Sequence, residues 1–254
     1  MNTLLTEALQ HRALPPRGVA AATLGTRPRV YVPAARLSVG LAAATLALLG
    51  GLHVLSPEFD PSWRMVSEYA LGHHAFVLSL VFTVWGLSTW ALAAAIWRQV
   101  DTRAGRVGLW LLVIAGVGEA MAAVFDITHD VGHTVAGLLG MTGLPIGAVL
   151  ISLSLNHKAG WAGRRPRMAT AYLTCLSVPL LIATTVLMAV QFARINGGVL
   201  PDHAPAILPA GVLGLDGWAD RFLVVSYCLW QIITSLYALK VAPHGESAAP
   251  FVDA

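Results

Sequence analysis

Glu119 is the residue of this chain that most needs an accounting. It sits inside an unbroken apolar run, residues 107–125. An ionised carboxylate in the middle of a hydrocarbon layer costs about 3 kcal/mol or more. The acid must therefore face a protein interior, pair with a partner, or stay protonated. Acids so placed mark ligand or proton pathways; the plainer alternative is a neutral carboxyl making one interhelical hydrogen bond. Two helical turns further on, about 10 Å along the same face, comes Phe125-Asp126-Ile127-Thr128-His129-Asp130-Val131-Gly132-His133. Asp126, His129, Asp130 and His133 are spaced i, i+3, i+4, i+7, which on a helix is one face. Two imidazoles with carboxylates on one face can hold a divalent metal such as zinc. Asp126, His129 and His133 are the candidate ligands. The same stretch must also reverse the chain between two apolar runs. Gly132 is expected to break the helix there, and Asp126 or Asp130 would then cap the following one.

A second polar group precedes the second apolar run. Arg64, Ser67 and Glu68 follow Pro57, Glu58, Asp60 and Pro61. Ser67 is a nucleophile only if a base reaches it; otherwise Ser67-Glu68-Tyr69 is a turn feeding the next helix. Glu119 or Glu68 is the candidate proton handler. Arg64 and Arg221 are the counter-charges for the neighbouring acids, either as ligand-binding groups or as ion pairs closing the mouth of the bundle.

Those residues need a scaffold, and the composition specifies its solvent. Of 254 residues, 56% are hydrophobic and 11% charged, against roughly 25% charged in an ordinary soluble domain; the mean hydropathy is +0.69. So little polar surface cannot cover a water-soluble fold, so lipid must solvate much of it. Six runs are long enough to span at about 20 residues each: about 37–55, 75–97, 107–125, 134–155, 169–192 and 218–240. Residues 1–35, rich in Pro and Arg, read as a flexible tail, and 242–254 as a second one. No signal-peptide cleavage site follows the first run, which is expected to be retained. The net charge of +3 does not indicate nucleic-acid binding, because the basic residues flank apolar spans instead of forming a patch. Cys175 and Cys228 fall inside spans and are expected to act as small buried hydrophobes.

Charge gives an orientation. Thirteen of the sixteen Lys and Arg lie in the N-terminal tail, the second-to-third and fourth-to-fifth connections and the C-terminal edge; only Arg64, Arg194 and Arg221 lie opposite. The positive-inside rule then puts both termini in the cytoplasm. Trp97, Trp110 and Trp161 mark the inner interface, and Trp63 and Trp218 the outer one. The outer half holds six of the nine histidines (His53, His73, His74, His129, His133, His203) and eight acids, Asp202, Asp216 and Asp220 among them. The connection 194–217, with three prolines, is long enough to fold down as a lid. No internal repeat is visible.

The pattern 56–60, Arg64 and Ser67-Glu68 before the second span, Phe125-Asp126 ending the third, His133-Thr-Val-Ala-Gly137 opening the fourth and Gly217-Trp-Ala-Asp220-Arg221 opening the sixth resembles the bacterial six-span membrane proteins grouped as domain of unknown function 998. The resemblance covers roughly residues 37–240. It implies a six-helix bundle in the bacterial inner membrane and no established activity. A more remote similarity, to seven-span zinc hydrolases such as alkaline ceramidases and progestin/adiponectin receptor-like proteins, implies zinc held by three histidines. Only Ser67, Asp126 and His133 have counterparts here, and the sixth span has no histidine.

The expected fold is an all-α, polytopic integral membrane six-helix bundle, N-in and C-in, in the cytoplasmic membrane. Its outer mouth is a candidate site for a lipid head group or small polar ligand, with metal-assisted hydrolysis as one chemistry. A proton-coupled small transporter using Glu119 is the alternative. A non-catalytic scaffold or partner subunit is the third reading. A haem protein is a fourth reading, against which stands the lack of paired histidines across the bilayer.

Overall fold

The computed structural model describes residues 30–158, 160–161, 164–199, 205 and 207–242. Residues 1–29 and 243–254 of the expected tails, and Asp202 and His203, lie outside the described residues. The described chain is helical: α1 Val32–Leu55, a 3-10 turn Val66–Leu71, then α2 Ala75–Ile96, α3 Arg103–Ala122, α4 Asp130–Asn156, α5 Arg164–Ile195 and α6 Asp216–Val241. All six α-helices are long and apolar enough to cross a membrane. This is a multi-pass membrane protein.

Helix ends follow local chemistry. Pro33 in the first turn of α1 supplies a preset φ where no N–H is needed, so α1 begins five residues before the apolar run expected from 37. The Thr102 hydroxyl caps α3 by accepting from Gly105 N at 3.0 Å, drawing Arg103 and Arg106 into the helix. At the other end α3 stops at Ala122, and Phe125 falls in the turn. α4 starts at Asp130, so Gly132 lies inside its first turn and does not break it. The reversal is made by residues 123–129. A Cβ on Gly132 would meet the Phe125 ring at 2.7 Å, so that glycine is where the turn folds back on the helix.

The helices form a closed ring in which each packs on its chain neighbours and α1 meets α6; α2 and α6 also touch across the ring. The tightest pair is α3 with α4. A Cβ on Gly118 would lie 2.5 Å from Gly140 N, and one on Gly147 would lie 2.8 Å from Gly108 O. Small residues thus let the two backbones touch, which is how membrane helices gain packing without a hydrophobic drive. The outward surface is apolar: Leu180, Ile182, Val186, Leu187 and Val190 of α5 are all exposed. A face that size suits acyl chains, not water.

Two interior prolines leave helix carbonyls without donors. Pro145 lacks the N–H that would bond Met141 O; the Tyr227 hydroxyl of α6 donates to that carbonyl at 2.8 Å. The thiol of Cys175 points to Pro145 O at 3.6 Å. Cys175 and Cys228 are both free.

Six alternating helices give two ends. The basic end holds the α2–α3 and α4–α5 connections. There Lys158 pairs with Asp101 at 2.8 Å and the Trp161 indole donates to Gln99 at 3.1 Å. The acidic end holds the α1–α2, α3–α4 and α5–α6 connections.

Candidate functional site

The acidic end is roofed by the α1–α2 connection, which is pinned to the start of α6. Three carboxylates shape it. Asp60 Oδ1 accepts from Ser62 N at 2.8 Å and from its hydroxyl at 2.7 Å, a side-chain turn whose backbone bond holds the Asp60 carboxyl below its ordinary range. Glu68 Oε2 accepts from Met65 N at 2.7 Å, capping the 3-10 turn, and Oε1 faces Arg64 at 3.3 Å. Burial pushes the Glu68 carboxyl up, and the Arg64 guanidinium only partly offsets this. Asp220 Oδ2 reaches from α6 to Val66 N at 2.7 Å.

Arg221 completes the clamp. Its guanidinium donates to His53 Nε2 at 2.7 Å, to Arg64 O at 2.7 Å, to Gly217 O at 3.0 Å and to the Tyr69 hydroxyl at 2.9 Å. These four neutral acceptors tie α1, the roof and α6 together around a buried cation. His53 must present a lone pair to accept, so its ring is neutral there. Gly217 lets α6 approach the roof backbone: a Cβ there would lie 2.6 Å from Arg64 O.

Beneath the roof is a chamber of about 120 Å³ between α2, α3, α4, α5 and α6. Its polar lining is Ser67, Glu119, His133 and Asp220; Phe82, Trp85 and Tyr227 supply aromatic side chains, and the remainder is small or aliphatic. Among the described residues neither Lys nor Arg lines it. Glu119 is only 4% exposed. Its Oε2 accepts from Thr89 Oγ1 at 2.5 Å, and its Oε1 is buried with no hydrogen-bond partner among the described residues.

The Thr89 hydroxyl lies between two acceptors, Glu119 Oε2 at 2.5 Å and Trp85 O at 3.2 Å. Gln231 Nε2 donates to Thr89 Oγ1 at 2.8 Å, and Ser88 Oγ donates to Gln231 Oε1 at 2.7 Å. Ser88 in turn neighbours Ser38 of α1. This chain links α1 through α2 and α6 to Glu119 Oε2 on α3. The threonine and glutamine were not among the residues singled out from sequence. Their only signal is a polar side chain inside an apolar run, Ser88-Thr89 in α2 and Gln231 in α6, and many such residues merely bond their own helix, as Thr83 does to Ser79 O.

The chamber brings together Ser67, Glu119 and His133, which lie far apart in sequence. His133 Nδ1 donates to Phe125 O at 3.0 Å, which leaves Nε2 as the acceptor of a neutral ring. Asp126 and His129 are not in the lining. Asp126 Oδ1 accepts from Thr128 N at 2.9 Å, from its hydroxyl and from His129 Nδ1 at 3.0 Å. It shapes the turn before α4, and the Thr128 hydroxyl holds its carboxyl below the ordinary range. Glu68, Arg64 and Arg221 belong to the roof. Among the described residues no group of three or more His, Cys, Asp or Glu is placed to hold a metal ion. Asp126 and His129 satisfy each other on the surface and do not converge with His133, so these three are not placed to hold zinc.

No curated protein and no solved structure matches the chain. Residues 38–237 match the family described as "Protein of unknown function (DUF998)". That match takes in all the chamber-lining residues and most of the ring of helices, and the chain belongs to this family.

Proposed function

We propose that the chamber binds a small polar ligand or lipid head group and that Glu119 exchanges a proton with the aqueous phase as the ligand comes and goes. One observation carries this: a carboxyl 4% exposed, one oxygen fixed by Thr89 and the other without a partner among the described residues, lines a cavity roofed by Ser67 and Asp220. A permanently charged carboxylate there would be unpaired and costly; a neutral one with its proton on the unpartnered oxygen would leave a buried donor unsatisfied. A ligand resolves both. Ser67 and His133 stand at the same cavity and contact whatever enters from the acidic end, while Arg64, Glu68 and Arg221 hold the roof in place. A hydrolytic version rests on Ser67 as nucleophile with His133 Nε2 as base. The orientation that supports access from outside is N-in and C-in in the cytoplasmic membrane, because the basic connections lie at the far end.

Cysteine accessibility tests the reading. Ser67→Cys in intact cells is expected to react with a membrane-impermeant thiol reagent from outside, and reaction is expected to slow when phosphocholine, phosphoethanolamine or inositol is added. Glu119→Gln is expected to remove the pH dependence of that protection. Labelling only from the cytoplasmic side, or protection identical in Glu119→Gln at every pH, contradicts the reading.

A further inference from the structure

The chamber's chemistry narrows its occupant. Its ionisable groups among the described residues include two carboxylic acids, Glu119 and Asp220, and one imidazole, His133, with no Lys or Arg. A phosphate or carboxylate would find no fixed cation there. The walls instead carry Trp85, stacked on Phe82 at 6.3 Å and edge-on to Tyr227 at 5.9 Å. Aromatic faces beside an acid recognise quaternary or alkylated ammonium, through the ring quadrupole and an ion pair. Size agrees: a cavity of about 150 Å³ takes a benzene, so about 120 Å³ takes a trimethylammonium head.

We propose that the chamber takes the alkylammonium head of an organic cation in exchange for the Glu119 proton. This rests on the ligand-binding reading above and names the ligand class. The exchange balances: the neutral Glu119 carboxyl gives up one H⁺ to the chamber mouth, and the carboxylate left behind pairs with the entering alkylammonium cation. No covalent bond to the ligand forms or breaks, and the pairing of carboxyl with proton or with cation is neutral before and after. Charge neutrality is what a low-dielectric interior demands. The other titratable groups that share the chamber with Glu119 or interact with it electrostatically are His133 from α4 and Asp220, Tyr227 and Cys228 from α6; α2 presents Thr89, Phe82 and Trp85, all uncharged. A charged His133 would oppose the cation, and a charged Asp220 would assist it.

The experiment uses the purified full chain in detergent at weak buffering, with three probes: choline, its uncharged carbon isostere 3,3-dimethylbutanol, and glycerol 3-phosphate. Choline is expected to bind and to release close to one proton per molecule bound. Its affinity should tighten about tenfold per pH unit while Glu119 is protonated. Glu119→Gln should bind it at least tenfold more weakly and release no proton, and this pH slope in the wild type keeps the test decisive if that variant does not fold. Proton release lost in His133→Gln but kept in Glu119→Gln overturns the assignment. Equal binding of dimethylbutanol and choline, or binding of the phosphate alone, overturns the ammonium class while leaving a ligand chamber standing. Binding of none of the three overturns it as well; protection of the Ser67→Cys thiol by inositol, a head group without an ammonium, would then separate this failure from failure of the chamber.

Discussion

At the scale of single residues, similar side chains do different work because of their surroundings. Glu119 and Asp126 lie seven positions apart. One is buried at the end of a hydrogen-bond chain; the other is half-exposed and closes a turn. Spacing placed them on one continuous helix face, and the physical reason this fails is that α3 ends at Ala122, three residues before Phe125. Asp126→Ala is expected to cost up to about 1 kcal/mol, the worth of a cap-like turn exposed to solvent. Because the Asp126 carboxyl is held below its ordinary range by Thr128, that contribution is present above the ordinary carboxylate value and is lost as pH falls through the lowered one. Thermal melts of the purified protein should therefore differ between wild type and Asp126→Ala at neutral pH and converge in acid. A difference that grows in acid would contradict this role.

At the scale of elements, the spans were legible and the contacts between them were not. Apolar length alone marks six helices, and the observed ends fall within about five residues of the apolar runs; α1 and α5 start furthest ahead of their runs, then α3 and α4, with Pro33 and Thr102 extending α1 and α3 into polar sequence. The 3-10 turn Val66–Leu71 was legible only as a turn, because the Asp220 carboxylate that caps Val66 comes from a helix 154 residues away. The glycines of α3 and α4 likewise carry no message until the two helices are paired. Gly118→Ala puts a methyl 2.5 Å from Gly140 N, against backbone that cannot rotate aside. It is expected to destabilise the protein by about 1–3 kcal/mol and to weaken ligand binding, since Gly118 lines the chamber. Gly50→Ala, with nothing within 4 Å of the added carbon, is expected to be neutral or stabilising by up to about 1 kcal/mol. Melting temperatures of the two variants in one detergent check the pair; equal losses would contradict the packing account.

At the scale of the whole molecule, an asymmetric bundle emerges. One end is tied by Lys158–Asp101 and Trp161–Gln99, and the other is closed by a roof pinned through Arg221. Between them a polar chain crosses from Ser38 to Glu119. The sequence shows that polar groups gather at one end, because loop charge is a local property. Which of them meet is a property of the closed ring: Ser67, His133 and Asp220 reach one chamber only because the roof, α4 and α6 all border it. The central claim is that Glu119 holds an exchangeable proton at that chamber. Infrared difference spectroscopy of the protein in lipid nanodiscs, titrated with pH, measures it directly. The account predicts a protonated-carboxyl C=O band that disappears in Glu119→Gln and loses intensity when choline is added. A wild-type spectrum with no such band across the titration, or a band that survives Glu119→Gln unchanged, would contradict it.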